Sequence, residues 1–119
     1  MCEKTVVIGG VEYTPKTEVA AKSLSGMPYV IIRAHSAGVF AGYLESRNGQ
    51  EVVMRQSRRL WYWSGAASLS QLAVDGVAKP KDCKFPVEID RHEITGVAEV
   101  IHCTEKARLS IGSVAIWKM

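Results

Sequence analysis

The stretch Val39-Phe40-Ala41-Gly42-Tyr43-Leu44-Glu45-Ser46-Arg47-Asn48-Gly49-Gln50-Glu51-Val52-Val53-Met54-Arg55-Gln56-Ser57-Arg58-Arg59-Leu60-Trp61-Tyr62-Trp63, residues 39–63, decides the fold. Two runs rich in β-branched and aromatic residues flank Asn48-Gly49, and Asn-Gly is the strongest short-range hairpin mark because both central positions of a type I′ turn need positive φ. A two-residue loop there sets Leu44 opposite Val53, Gly42 opposite Arg55 and Phe40 opposite Ser57. That side of the hairpin also carries Arg59, Trp61 and Trp63; the other carries Val39, Tyr43, Val52, Met54, Arg58, Leu60 and Tyr62. Both sides are partly apolar, so the pattern predicts helices of the same chain on one and a second subunit on the other.

Upstream, residues 5–8 and 11–14 flank Gly9-Gly10 as a short hairpin ended by Pro15, and residues 18–21 suit one helical turn in a polar connection. Tyr29 to Arg33 reads as a buried strand. Downstream, residues 64–76 read as a helix with Ser64 as its cap, Ala66, Leu69, Leu72 and Ala73 as its apolar stripe and Gly76 just past its end. Residues 85–89 and 94–103 follow as strands; Thr104 then caps a short helix over 105–110, stopped by Gly112, and residues 114–117 form a last strand. The expected architecture is one α+β domain over residues 1–119, an antiparallel sheet with a long hairpin and two short helices in the C-terminal half.

With 119 residues, 47% of them hydrophobic and 23% charged, the chain has enough aliphatic content for a packed core without staples. No run has the length of a membrane span and the first residues lack a signal-peptide pattern, which predicts a cytoplasmic protein. Cys2, Cys83 and Cys103 are too far apart for a disulfide framework or a Cys-x-x-Cys metal site, so reduced thiols and no metal are expected. A net charge of +3 is too mild for a general DNA-coating role.

No catalytic set emerges. Cys83 and His92 are conceivable as a nucleophile pair, but the reading preferred is a small buried thiol and a surface imidazole, and the acidic residues lack paired spacing, solvated faces explaining them equally well. One constellation stands out: Arg55, Arg58 and Arg59 run into Leu60-Trp61-Tyr62-Trp63 and then into the expected helix start at Ser64. Guanidinium forks, flat rings and unpaired helix N–H groups suit a phosphorylated ligand with a base. The same residues also read as core, with Trp61, Trp63 and Leu60 inside and the arginines reaching out to solvent. Phe85 is a candidate base-stacking ring and Arg108 a candidate phosphate ligand, each with a structural alternative.

Residues 58–73, together with Cys83-Lys84-Phe85-Pro86 and Cys103-Thr104-Glu105-Lys106-Ala107, resemble small uncharacterised proteins encoded by phages and prophages, over a span from about Met27 to the C-terminus. By size, strand-rich N-terminal part and two late helices the chain is also similar to the first Thoeris anti-defence family. That resemblance implies a cytosolic, non-enzymatic sponge without a cofactor. It would hold a cyclic ADP-ribose isomer, and in some members cyclic oligonucleotides, uncleaved at the subunit interfaces of a homo-oligomer, a dimer or a larger assembly such as a hexamer. It implies arginines on the phosphates and an aromatic near the base, and Arg58 or Arg59, Phe85 and Arg108 are the positions that suit those roles; the family's other ligand contacts are not assigned to residues of this chain. Two alternatives remain beside it: a single-stranded nucleic-acid binder and a protein-protein inhibitor of a host factor.

Overall fold

The computed structural model describes residues 24–118 together with two short strands ahead of them. These two, β1 (Val6–Ile8) and β2 (Val11–Tyr13), pair antiparallel with Ile8 opposite Val11, as the glycine pair between them predicts. The helical turn expected at residues 18–21 lies outside the described residues.

Five strands make the main sheet: β3 (Tyr29–Ala34), β4 (Gly38–Asn48), β5 (Glu51–Arg59), β6 (Ile89–Ile94) and β7 (Val97–His102), in the spatial order β6-β5-β4-β3-β7 with every pairing antiparallel. The two outermost strands are consecutive in sequence and only Thr95 and Gly96 join them, so the sheet must roll round until its edges meet at that turn. Residues from all five strands accordingly pack on one another inside the roll: Val30 and Ile32 of β3, Phe40 of β4, Val52 and Met54 of β5, Ile94 of β6 and Val97 of β7. This is the face for which the hairpin pattern predicts a second subunit. The chain covers it by curvature instead, and that argument for an oligomer falls.

The outer face of β3 and β4 carries the second core. Tyr29, Ile31, Ala41 and Tyr43 pack beneath α1 (Leu69–Asp75) and α2 (Glu105–Ser113), with Leu72, Ala73, Ala107 and Ile111 facing them and Leu60 and Phe85 completing the layer. The helices are tied to each other: the Thr104 amide donates to Ala73 O at 2.9 Å and the Val77 amide to Ser110 Oγ at 3.0 Å. Gly76, at φ 77°, closes α1 where an added Cβ would lie 2.3 Å from Ser110 Cβ, so no side chain fits there.

The hairpin forms, with a different turn and register. Asn48 pairs with Glu51, which places Gly49 and Gln50 at the centre, and Gly49 alone takes positive φ (63°), as in a turn with glycine first rather than type I′. Two bulges follow, an extra residue at Glu45 on β4 and another around Gln56, held at φ 50°, on β5. Phe40 therefore pairs with Arg59 and Ala41 with Arg58. The bulge at Gln56 moves Val52 and Met54 to the face of Phe40 and Leu44, inside the roll, rather than to the face of Tyr43 as the unbroken alternation predicts.

Other boundaries differ from expectation as well, among them the strand expected over 94–103, which is β7 at Val97–His102 with Ile94 ending β6. The first helix begins at Leu69, capped by Ser68, whose side chain accepts from the Gln71 amide, and Ser64 caps nothing. The strand expected at 85–89 is displaced to Ile89–Ile94, and the tail at 114–117 makes a single bridge, Phe85 to Ile116, instead of a strand. The second helix is capped by Thr104 as expected, its hydroxyl accepting from the Ala107 amide, but continues through Gly112 to Ser113.

Candidate functional site

Arg58 and Arg59 leave β5 on opposite faces and meet opposite fates. Arg58 points under the helices and is 3% exposed. Its Nε donates to Pro86 O at 2.9 Å, Nη1 to Ile111 O at 2.9 Å, and Nη2 to Phe85 O at 3.1 Å and to Val114 O at 2.6 Å. Ile111 and Val114 lie at the C-terminal end of α2, where carbonyls are unpaired and the helix dipole favours a cation. Arg58 is thus a clamp on that helix end, stacked 5.5 Å from the Phe85 ring centroid, and its fork is not free for a phosphate.

Arg59 lies at the mouth of the rolled sheet with its guanidinium 4.5 Å from the Phe40 ring centroid, and its Nη1 donates to Ala37 O at 2.5 Å. No other protein acceptor takes its Nε or Nη2 among the described residues. Arg59, Trp61 and Trp63 together line a recess of about 210 Å³, closed by Ala37, Gly38, Val39 and Leu60. Trp63 is half-buried against the outer core, while Trp61 is 63% exposed. The structure therefore brings together the half of the predicted constellation that alternation puts on one side: one guanidinium with spare donors beside two indoles.

On the other side of the same segment, Tyr62 forms a bridge with Lys84, and Trp117 donates its amide to Phe85 O at 3.0 Å. The Lys84 ammonium lies 5.9 Å from the Tyr62 ring centroid and 5.7 Å from that of Trp117. Lys79, Lys81, Lys84 and Lys118 form no ion pair among the described residues, whereas Arg33, Arg55, Arg91, Lys106 and Arg108 all do. Lys84 thus lies without an ion pair beside the exposed Tyr62 ring and the partly buried Trp117 ring. Sequence reasoning missed this second group because Lys84 and Trp117 are remote from Tyr62 in the chain; the lysine run 79–84 was the available signal.

The remaining candidates are structural in this arrangement. Phe85 is fully buried in the outer core and presents no face to a base. Arg108 grips Glu105 with two hydrogen bonds, Nε at 2.9 Å and Nη2 at 2.6 Å, and its Nη1 reaches the Tyr43 hydroxyl at 3.3 Å. Ser64 offers its amide to Cys83 Sγ at 3.4 Å and lies outside the helix, and the seven-residue α1 that begins at Leu69 provides no anion site there. Arg55 is held by Glu45 at 2.6 Å and Asp90 at 3.4 Å.

Cys83 and His92 do not meet. His92 Nδ1 instead shares a 3.1 Å hydrogen bond with the buried Ser57 hydroxyl, and its ring stands edge-on to Phe40; burial, aided by Arg59, holds its pKa below the ordinary value. The thiols of Cys83 and Cys103 are free and buried, and no cluster of metal-ligating side chains occurs among the described residues. Burial pushes the Cys103 thiol from its ordinary 9.0 up to about 12, and burial beside that thiol also raises Tyr29. Both raised groups keep their protons in the folded state when the unfolded chain has lost them. Their contribution to stability is thus intact below about pH 9 and is lost as pH climbs from there through the folded values. Urea midpoints measured from pH 7 to pH 11 are expected to hold steady to about pH 9 and then fall, and Cys103→Ser is expected to flatten part of that fall.

A family model described as a domain of unknown function, DUF6948, matches residues 27–111, well over half of the chain. The chain belongs to the DUF6948 family. The matched span takes in the rolled sheet, both helices except the last residues of α2, and the recess formed by Arg59, Trp61 and Trp63, so that site is an integral part of the DUF6948 domain; Trp117 and Lys118 lie beyond it. No curated protein and no solved structure matches the chain significantly. No helix among the described residues of this DUF6948 protein is long and apolar enough to cross a membrane.

Proposed function

We propose that the protein is a non-catalytic, cytoplasmic sponge of the phage anti-defence kind. In this reading it binds a nucleotide signal of the cyclic ADP-ribose type, takes cyclic oligonucleotides as further ligands, and leaves their bonds intact. The observation that carries this reading is Arg59: a guanidinium fixed by Ala37 O and the Phe40 ring, with donors to spare, beside Trp61 and Trp63. A phosphate taken by Arg59 leaves a base in reach of an indole face. The surrounding groups suit capture rather than turnover, since the one serine-histidine contact among the described residues, Ser57 to His92, has its hydroxyl sealed inside the roll.

A recess of about 210 Å³ is smaller than the roughly 300–1,000 Å³ of sites that enclose a drug-sized ligand. Nanomolar capture, about −12 kcal/mol, needs near-complete enclosure. The sponge reading therefore requires a second copy to close over Trp61, and this size argument replaces the one from an uncovered hairpin face.

A second reading, single-stranded nucleic-acid binding, is favoured by one separate observation: Lys84, which forms no ion pair among the described residues, lies between the Tyr62 and Trp117 rings, in a stretch that also carries Lys79 and Lys81. The two are separated by incubating the protein with cyclic ADP-ribose isomers, removing free ligand, denaturing by heat and analysing what is released. Recovery of intact signal supports the sponge. A converted product makes the protein an enzyme, while no recovery, combined with salt-sensitive binding of an oligothymidylate, transfers the function to the lysine face.

A further inference from the structure

A second surface, independent of the recess, runs along the open edge of β6. That strand ends the sheet order, and no ladder joins it to β7 among the described residues, so one row of its backbone groups faces no strand. Three adjoining depressions lead from the start of this edge across β5 towards β4. The first, about 400 Å³, is lined by Arg58, Val87, Glu88, Gly112, Val114 and Ile116; the second, about 290 Å³, by Gln56, Glu88, Ile89 and Asp90; the third, about 590 Å³, includes Met27, Glu45, Arg55, Gln56 and Asp90. Glu88 belongs to the first and second, Gln56 and Asp90 to the second and third, so they form one continuous groove.

Its chemistry is uneven in an informative way. Val87, Ile89 and Ile116 are large, apolar and exposed along it. Glu88 has no ion-pair partner among the described residues, and the Asp90 side chain is 88% exposed with a 3.4 Å contact to Arg55. Arg55 is paired with Glu45 and Arg58 is only 3% exposed, so Glu88 and Asp90 are the accessible charges along the groove on a chain whose total is +3. Over the stretch that lines the groove a second copy of the chain is a poor occupant: two-fold antiparallel pairing centred on Asp90 sets Asp90 against itself, and centred on Ile89 it sets Glu88 against Asp90.

The geometry points to a docking edge for an extended, basic peptide segment of a partner protein, which adds a strand beside β6. Its alternate apolar side chains enter the Val87–Ile116 depression, and its lysines or arginines meet Glu88 and Asp90. The inference goes beyond ligand capture and does not depend on it, because none of these residues lines the Arg59 recess.

The test uses the whole chain, isotope-labelled, titrated with a blocked hexapeptide of alternating valine and lysine. The backbone amides of residues 87–91 are expected to shift saturably. Affinity is expected to drop at least 10-fold in Glu88→Gln/Asp90→Asn with the melting temperature within a few degrees of the parent, since both carboxylates are exposed. Absence of shifts at millimolar peptide, equal binding of an alternating valine-glutamate peptide, or indifference to the double substitution overturns the proposal. Concentration-dependent shifts of the same amides without peptide overturn it too, in favour of self-association.

Discussion

Arg58→Ala is expected to cost about 3–5 kcal/mol of stability: a buried carbonyl left without its donor costs about 1–3 kcal/mol, and the loss strips Pro86 O and Val114 O of the guanidinium while Phe85 O keeps the Trp117 amide and Ile111 O the Val114 amide. Water entering the neighbouring depression offsets part of that loss, which keeps the total below the simple sum. In thermal melts the midpoint is expected to fall by more than about 10 °C. Arg58→Lys is expected to rescue little, since an ammonium is a point donor and cannot span carbonyls on the 85–86 segment and on the end of α2 at once. A variant that melts within a few degrees of the parent would remove Arg58 from the structure and return it to the candidate ligand contacts.

The second large effect is on binding. Trp61→Ala is expected to weaken nucleotide capture by about 10- to 100-fold, in line with about 1–3 kcal/mol for a base stacked on an aromatic ring. Stability should change by no more than about 0.5 kcal/mol, since the indole is 63% exposed. Arg59→Ala should weaken capture by a similar factor, as a charge-assisted hydrogen bond contributes about 1.5–3 kcal/mol. Its stability cost is expected to lie between those of the other two variants, because its contacts are one carbonyl and the Phe40 ring. Isothermal titration and urea unfolding on the same three samples separate the cases: Arg58 in stability, Trp61 in affinity, Arg59 in both. Equal affinity in Trp61→Ala and the parent would remove the recess as the binding site.

Much of this was legible in the residues and some was not, for physical reasons. The hairpin, the strand at Tyr29, the Thr104 cap and the grouping of Arg59 with Trp61 and Trp63 follow from turn chemistry and a period of two. The bulges at Glu45 and Gln56 carry no such mark, and one extra residue is enough to send Val52 and Met54 to the other face. The start of α1 did have a signal: Ser68 stands three residues before Gln71, the spacing of a capping box, and Gln71 Oε1 accepts from the Ala67 amide at 2.8 Å. Ser64 competes for the role because Ala66 and Ala67 extend the helical pattern backwards. Which of two adjacent arginines is buried was beyond reach, since the carbonyls that hold Arg58 lie more than twenty residues away in the chain. The closure of the sheet is likewise a long-range event, visible only once β6 and β7 are seen at opposite ends of the strand order.

The most direct measurement follows the three indole N–H resonances of the protein during titration with cyclic ADP-ribose isomers. Capture in the Arg59 recess predicts that the Trp61 and Trp63 signals move together and saturate, while the Trp117 signal stays in place. Movement of Trp117 alone, or no movement of Trp61 and Trp63 at saturating ligand, would contradict the account.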